Sequence, residues 1–360
     1  MRRLIVAEAR GTDAFVDTLR RAWDDGDAVF PLDPRLPGPA RERVLAAARP
    51  HEPVEDGDAL VVATSGTTGE PKAVVLTHDA VAASARATSA RLGVDPTSDR
   101  WLACLPLAHV GGLSVVTRAL LTGTPLTVHE GFDAAAIEAA AAAGSTLVSL
   151  VATALRRVDA SRFRTVVLGG SAMPDDLPPN AVTTYGMTET GSGVVYDGAP
   201  LDGVEVRVVD GEVHLRAPML LRSYRDGNDP KTPDGWYPTG DAGAWDAGAG
   251  RLRVFGRRGD LIITGGENVW PVAVERVIGA LPSVREVAVV GRPDPEWGRR
   301  VVALVVAADP AAPPTLDAVR AAVRQELPAY AAPRELRLVD ALPRTGSGKL
   351  ARADLADAAG

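Results

Sequence analysis

Two runs of aliphatic and β-branched residues, Leu60 to Ala63 and Val74 to Thr77, flank the segment Thr64-Ser65-Gly66-Thr67-Thr68-Gly69-Glu70-Pro71-Lys72. Both flanks are strand-like, so this glycine- and hydroxyl-rich loop joins two strands and does not open a helix. The rest of the chain alternates short apolar runs with amphipathic helices, which is the pattern of an α/β protein. A strand at 4–7 precedes a helix with Phe15, Leu19, Ala22 and Trp23 on one face and Thr12 or Asp13 as cap. A second strand at 28–30 leads into an extended connector over 31–39 and then a helix to about residue 49. Asp133 caps an alanine-rich helix closed by Gly144, and buried strands follow near 147–150 and 165–168. Short strands and turns dominate 204–254. Beyond Phe255 a new unit starts, with a strand at 261–263, a helix opened by Pro271, strands at 287–290 and 301–307, a helix at 316–327 and a strand at 336–339. At 360 residues the chain exceeds the size of one growing core. We therefore expect a large domain over 1–255 and a small α+β domain over 256–360.

A net charge of −7 and a pI near 5.4 exclude nucleic acid or an anionic membrane as the main partner. The single cysteine, Cys104, excludes an internal disulfide and a cysteine-based zinc cluster. The histidines at 51, 78, 109, 129 and 214 are too scattered for a local metal-ligand pair. Arg2 and Arg3 imitate the start of a signal peptide, but Glu8 and Arg10 interrupt the apolar run, so no targeting segment and a cytoplasmic location are expected. The apolar stretch 134–155 is divided by Glu138, Gly144 and Ser145 into a helix and a strand, so no stable membrane insertion is expected. Of the 39 basic residues only Lys72, Lys231 and Lys349 are lysine. Where arginine is so favoured, a retained lysine can mark a place that needs a compact point charge.

The loop 64–72 offers converging backbone N–H groups, hydroxyl donors and the Lys72 charge, a set suited to phosphate oxygens. Pro71 and Ala73 stand where a Walker A loop needs glycine and Ser/Thr. The same composition also makes surface turns. In Tyr185-Gly186-Met187-Thr188-Glu189-Thr190 an aromatic face adjoins a carboxylate able to hold Mg²⁺ beside phosphates, although a solvated loop glutamate reads the same way. Tyr237-Pro238-Thr239-Gly240-Asp241 sets a carboxylate after a tight turn, where it could accept from ribose hydroxyls or serve turn chemistry alone. Two glycine-rich segments remain, Gly256-Arg257-Arg258-Gly259-Asp260 continuing to Thr264-Gly265-Gly266-Glu267, and Pro343-Arg344-Thr345-Gly346-Ser347-Gly348-Lys349. The last imitates half of a P-loop, but Leu350 stands where the magnesium-binding hydroxyl would be.

These five segments, in this order, resemble the adenylate-forming superfamily of acyl-CoA synthetases, peptide-synthetase adenylation domains and luciferases. The resemblance implies a large α/β domain, a small domain that swings between two positions, and an active site between them. It implies that Thr64, Ser65, Gly66, Thr67, Thr68, Gly69 and Lys72 grip the outgoing phosphates and that Thr188 and Glu189 serve phosphate and Mg²⁺. Gly169, Gly170 and Ser171, with Thr184, Tyr185 and Gly186, would line the adenine and acyl pocket. Asp241 and Arg257 would bind ribose, and Lys349 would reach the substrate carboxylate and α-phosphate. Gly265 and Gly266 would guide the pantetheine of coenzyme A, and His109 would stand at the acyl pocket, although a histidine in an apolar run is by itself also a core residue. Two departures stand out: the phosphate loop comes early, so part of the family's large domain is missing at the N-terminus, and Gly259 occupies a hinge position usually held by Asp or a similar residue.

The implied activity is ATP-dependent ligation of a small carboxylic acid to CoA through an acyl-adenylate, with ATP, Mg²⁺ and coenzyme A as cofactors. The segment 27–37 and the continuation from Tyr185 through Gly198 look most like o-succinylbenzoate–CoA ligases of menaquinone biosynthesis, with Ser192 and His109 as partners for the second carboxylate. Ligation of another aromatic or fatty acid, loading of a carrier protein, and a non-enzymatic nucleotide-binding role are the alternatives. Self-association stays open. Arginine should fail at position 349 and be tolerated at 231.

Overall fold

The computed structural model describes residues 2–64, 70–170, 176–344, 350–352, 354 and 355. The chain forms two compact units, one of Met1–Arg207, His214–Pro238 and Asp246–Leu252, the other of Val208–Val213, Thr239–Trp245 and Arg253–Gly360.

The first unit opens with β1 (Leu4–Glu8), α1 (Asp13–Asp24), β2 (Ala28–Leu32), α2 (Gly38–Ala48), β3 (Asp58–Thr64) and β4 (Lys72–Thr77). Helix α1 buries Phe15, Val16, Leu19 and Ala22, the face its periodicity predicts, but Thr12 makes no side-chain cap bond. Strand β2 runs past Phe30 through Pro31 to Leu32, so the expected connector over 31–39 is shorter. A proline is tolerated there because β2 registers with β3 only at Val29↔Leu60, and the missing N–H of Pro31 lies beyond that ladder.

Helix α3 (His78–Leu92) is capped by Thr77, whose Oγ1 accepts from the Ala80 N–H at 3.1 Å. There follow β5 (Trp101–Ala103), α4 (Val110–Thr122), β6 (Leu126–Val128) and α5 (Ala134–Ala142). Next come β7 (Leu147–Leu150), the single turn α6 (Ala152–Leu155), β8 (Thr165–Leu168), β9 (Ala181–Gly186), β10 (Gly193–Tyr196) and β11 (Ala199–Pro200). Asp133 caps α5 by accepting from Ala136 N–H at 2.8 Å, and Gly144 follows its end at a φ of 101°. The stretch 134–155 is thus helix, turn, strand and turn, and no described helix is long and apolar enough to cross a membrane.

After β12 (Glu205–Val209) and β13 (Glu212–Arg216) comes the short β14 (Ser223–Tyr224), then β15 (Tyr237–Asp246) and β16 (Arg251–Arg257). One sheet runs β1-β2-β3-β4-β14, and a second runs β11-β10-β9-β8-β7-β5-β6. Strands β5 to β9 pair parallel, so their carboxyl ends lie on one edge. The opposite edge is tied by Asp99, which accepts from Arg164 Nη2 at 2.7 Å and Thr146 Oγ1 at 2.7 Å. A third sheet runs β12-β13-β15-β16, and the division between the units passes through its strands. Residues 208–213 and 239–245, which precede the boundary expected from sequence, group with the second unit.

The second unit continues with β17 (Ile262–Thr264), β18 (Glu267–Val269), α7 (Pro271–Gly279), β19 (Val284–Asp294), β20 (Gly298–Ala307), α8 (Leu316–Glu326) and β21 (Glu335–Leu338). Its core joins Ile262, Val274, Val277, Ile278, Val289, Val301, Val319 and Val323. Alternate residues of β20 face α7 and α8, so α7 and α8 cover one face of this sheet.

Candidate active site

The glycine-rich loop connects antiparallel strands whose last registered pair is Thr64↔Lys72. Ser65, Gly66, Thr67, Thr68 and Gly69 lie outside the described residues. At the loop's exit Lys72 is exposed, with Nζ 4.8 Å from the centre of the Tyr224 ring. The Tyr224 hydroxyl donates to Glu189 Oε1 at 3.0 Å.

Glu189 sits in the short turn Thr188–Thr190 that follows β9. Sequence places a hydroxyl where it locks the turn: Thr190, fully buried, accepts from Met187 N–H at 2.9 Å, and its Oγ1 lies 2.7 Å from the Ser192 carbonyl. Gly191 ends the turn at a φ of 66°, which glycine adopts without strain. Among the described residues no Lys, Arg or His is ion-paired with Glu189, and no cluster of three or more His, Cys, Asp or Glu could cage a metal. A lone carboxylate beside a hydroxyl fits Mg²⁺, which keeps waters and takes most ligands from substrate phosphates.

Gly169 and Gly170 follow the carboxyl end of β8. A Cβ on Gly169 would lie 2.7 Å from Thr184 Oγ1, which itself donates to the Leu168 carbonyl at 3.0 Å. A Cβ on Gly186 would lie 2.2 Å from the Ser192 carbonyl. These glycines let the ends of β8 and β9 and the start of β10 pack backbone to backbone, which brings Gly169, Thr184, Tyr185, Gly186 and Ser192 into one neighbourhood at the carboxyl edge of the sheet. Ser171 lies outside the described residues.

Arg118 was not foreseen from the sequence. It lies on α4 with 2% exposure, and its Nη2 donates to Ser192 Oγ at 3.1 Å. Its guanidinium lies 4.8 Å from the Trp101 ring centre. Its Nε and Nη1, and the Trp101 Nε1, have no partner among the described residues. Burial pulls the pKa of Arg118 below its ordinary value, against an opposing influence of Tyr196. The available signal was one arginine within the apolar run 113–121, on a helix buried along most of its length.

His109 is the N-cap residue of α4, with Nε2 3.8 Å from Asp33 Oδ2. Asp33 is buried and held by Arg35, with Nε at 2.9 Å and Nη2 at 2.7 Å. Burial pushes the Asp33 carboxyl up, but the Arg35 hydrogen bonds and the charges of Arg35 and His109 outweigh it and leave it below the usual range.

In the second unit Asp241 is buried, and Arg257 Nε lies 3.1 Å from its Oδ1. Arg257 also donates to the Thr239 carbonyl at 2.7 Å, while Thr239 Oγ1 accepts from the Asp241 N–H at 3.1 Å. The turn is closed by Gly240, at a φ of 73°, whose N–H donates to Glu212. Gly265 and Gly266 have φ of 58° and 83° and join β17 to β18 in a two-residue turn of the type that requires both values positive. The Trp297 ring packs where a Gly265 Cβ would be. Gly259, in the turn Arg258–Asp260, has open space around it and an ordinary φ, so nothing in this state demands glycine there. Lys349 lies outside the described residues. The ends of its loop are pinned, since Arg344 and Leu350 form an antiparallel bridge and Arg352 pairs with Glu275 at 2.7 Å and Asp260 at 3.2 Å.

Lys231 corrects the expectation that arginine would serve there. Its ammonium donates to the carbonyls of Leu221 at 2.9 Å and Arg222 at 2.8 Å and lies 2.7 Å from Asp229 Oδ1. Three acceptors around one nitrogen match three N–H bonds, a geometry that a planar guanidinium does not reproduce.

A model of the AMP-binding enzyme family matches residues 8–224, and one of the AMP-binding enzyme C-terminal domain matches 273–349. The chain is 40% identical over 380 aligned positions to a probable 2-succinylbenzoate–CoA ligase of Mycobacterium tuberculosis strain H37Rv, covering 99% of this chain and 97% of the relative. It resembles the solved o-succinylbenzoate CoA synthetase MenE of Bacillus subtilis in complex with the acyl-adenylate intermediate OSB-AMP, with TM-score 0.77, 28% identity, and coverage of 98% of this chain and 82% of that one. It also resembles the amide bond synthetase McbA of Marinactinospora thermotolerans, with TM-score 0.85, 26% identity, and coverage of 98% and 89%.

Proposed function

The chain belongs to the AMP-binding enzyme family, and from that premise we propose that it is an AMP-forming acid–CoA ligase for 2-succinylbenzoate, acting in the cytoplasm in menaquinone biosynthesis. The first half-reaction joins the acid to ATP, giving an acyl-adenylate and pyrophosphate; in the second, the CoA thiol attacks the acyl carbonyl and AMP leaves. No enzyme nucleophile is required.

The obstacle in the first step is charge, because a carboxylate must approach a phosphorus already surrounded by negative oxygens. In our reading Thr64, Lys72 and the loop between them hold the departing phosphates, and Lys349 neutralises the α-phosphate and the incoming carboxylate. Thr188 and Glu189 would hold Mg²⁺, which would offset phosphate charge. Asp241 accepts from the ribose hydroxyls, its carboxylate fixed by Arg257. In the second step the Gly265-Gly266 turn gives pantetheine a surface without side chains, and rotation near Gly259 withdraws Lys349.

The observation that carries the choice of acid is Arg118. Two nitrogens of this buried guanidinium, Nε and Nη1, have no partner among the described residues, which also supply no counter-ion, and a buried charge is stable only when paired. It adjoins Ser192 and the Gly169-Thr184-Gly186 neighbourhood assigned to the acyl group. 2-Succinylbenzoate carries two carboxylates: one is adenylated, and the other satisfies Arg118, with His109 at the head of the same helix. Benzoate and octanoate have no second carboxylate to offer. Pyrophosphate release across an acid panel tests the assignment. Turnover of 2-succinylbenzoate well above benzoate and octanoate is expected, and the reverse order refutes it. The likeness to an amide bond synthetase makes the acceptor a second question, answered by comparing CoA with carrier protein and simple amines; CoA is expected to win.

A further inference from the structure

Two of the three lysines act on a single segment. Between Leu221 and Lys231 the chain runs beside both Glu189 and the strand that leaves the phosphate loop. Leu221 N–H donates to the Glu189 carbonyl at 2.8 Å, Arg222 N–H to the Val75 carbonyl at 2.9 Å and Arg225 N–H to the Ala73 carbonyl at 2.7 Å. Strand β14 thereby pairs with β4, setting Tyr224 opposite Val74. Tyr224 is buried, its hydroxyl donates to Glu189 Oε1, and its ring faces the Lys72 ammonium. At the other end Lys231 gathers the Leu221 and Arg222 carbonyls and Asp229 around its ammonium.

The structure assigns Tyr224 as the positioning residue for Glu189, and Lys231 as the group that fixes the segment from which Tyr224 reaches it. A neutral phenol suits this task better than a cation. It holds one carboxylate oxygen in a set direction without neutralising the charge that would attract a metal ion, as outer hydrogen-bond partners do for metal-binding carboxylates. The same ring offers its face to Lys72, so one side chain orients the carboxylate and the ammonium on either side of it. Lys231 acts at a distance, keeping the backbone on which Tyr224 stands from shifting.

This assignment rests on Glu189 holding Mg²⁺, and the experiment separates the two. Mn²⁺ binding in the presence of a non-hydrolysable ATP analogue is followed by electron paramagnetic resonance for wild type, Glu189→Gln, Tyr224→Phe and Lys231→Arg, alongside unfolding midpoints and the KM of the acid. Glu189→Gln is expected to abolish the nucleotide-dependent Mn²⁺ site. Tyr224→Phe, which removes only the hydroxyl, is expected to weaken it about tenfold or more with the acid KM unchanged, and Lys231→Arg to weaken it in the same direction. If Glu189→Gln retains the site, the metal reading fails. If Glu189→Gln loses it while Tyr224→Phe binds Mn²⁺ like wild type, the positioning role is overturned. Should Lys231→Arg fold poorly, Tyr224→Phe still decides.

Discussion

Replacing Arg118 by methionine should make the free protein more stable and the enzyme worse. The two nitrogens left without a partner among the described residues, Nε and Nη1, each cost about 1–3 kcal/mol in a buried site, in addition to the desolvation of the charge. Against this stand one charge-assisted bond to Ser192, about 1.5–3 kcal/mol, and one cation–π contact with Trp101, about 2 kcal/mol when desolvated. Methionine fills much of the same length without a charge, so a net gain of about 1–3 kcal/mol is expected, as when other buried charges give way to apolar side chains. In a unit of this size each kcal/mol raises the unfolding midpoint by about 2–4 °C. For the reaction the sign reverses, because the second carboxylate would be buried without its partner. That costs about 3–5 kcal/mol, or roughly 10²- to 10⁴-fold in kcat/KM. The assays are thermal unfolding with and without 2-succinylbenzoate and pyrophosphate release with 2-succinylbenzoate and with benzoate. The acid should raise the midpoint of the wild type and leave that of the variant unmoved, and any benzoate activity should persist. A variant that is less stable yet turns over 2-succinylbenzoate normally would refute the reasoning.

Three further outcomes are expected. Asp241→Asn should raise the KM for ATP about tenfold or more, since a charged acceptor beside Arg257 becomes a neutral one; an unchanged KM would remove Asp241 from the ribose site. Burial pushes the Cys104 thiol up to about 12, so a thiol reagent at pH 8 should label the protein only after unfolding, and rapid labelling of the native protein would contradict its burial. The Asp99 carboxyl is pushed up by burial but held below its usual range by Arg164, the Asp95 N–H and Thr146. Its stabilising effect is therefore full above the unfolded carboxyl pKa and is lost as pH falls through the lower folded value. Asp99→Asn should lower the unfolding midpoint at pH 7 and flatten its acid dependence; equal acid profiles for the two proteins would count against this.

Local chemistry made the strands around the glycine-rich loop legible: hydroxyls and glycines between two β-branched runs imply a strand–loop–strand, and β3 and β4 meet at Thr64 and Lys72. The turn glycines were equally readable, as Gly265 and Gly266 show. Pro31 misled because a proline breaks a strand only where its N–H would be needed, and that depends on where β3 stops pairing, a tertiary fact. Arg118 was missed, and Lys231 was given no role, for a related reason. An arginine amid apolar residues and a lysine in a turn acquire meaning only from acceptors far away in sequence, or from their absence: Ser192 for one, the carbonyls of Leu221 and Arg222 for the other. Tyr224 carried no signal at all until β14 set it against Glu189.

The most direct test of a two-step ligase is to withhold the second substrate. With MgATP and 2-succinylbenzoate but no CoA, mass spectrometry should detect 2-succinylbenzoyl-AMP with a matching amount of pyrophosphate. Adding CoA should then convert the adenylate to the thioester and release AMP. Thioester formation without any adenylate, release of ADP and phosphate in place of AMP and pyrophosphate, or failure to activate 2-succinylbenzoate while another acid is activated would contradict the account.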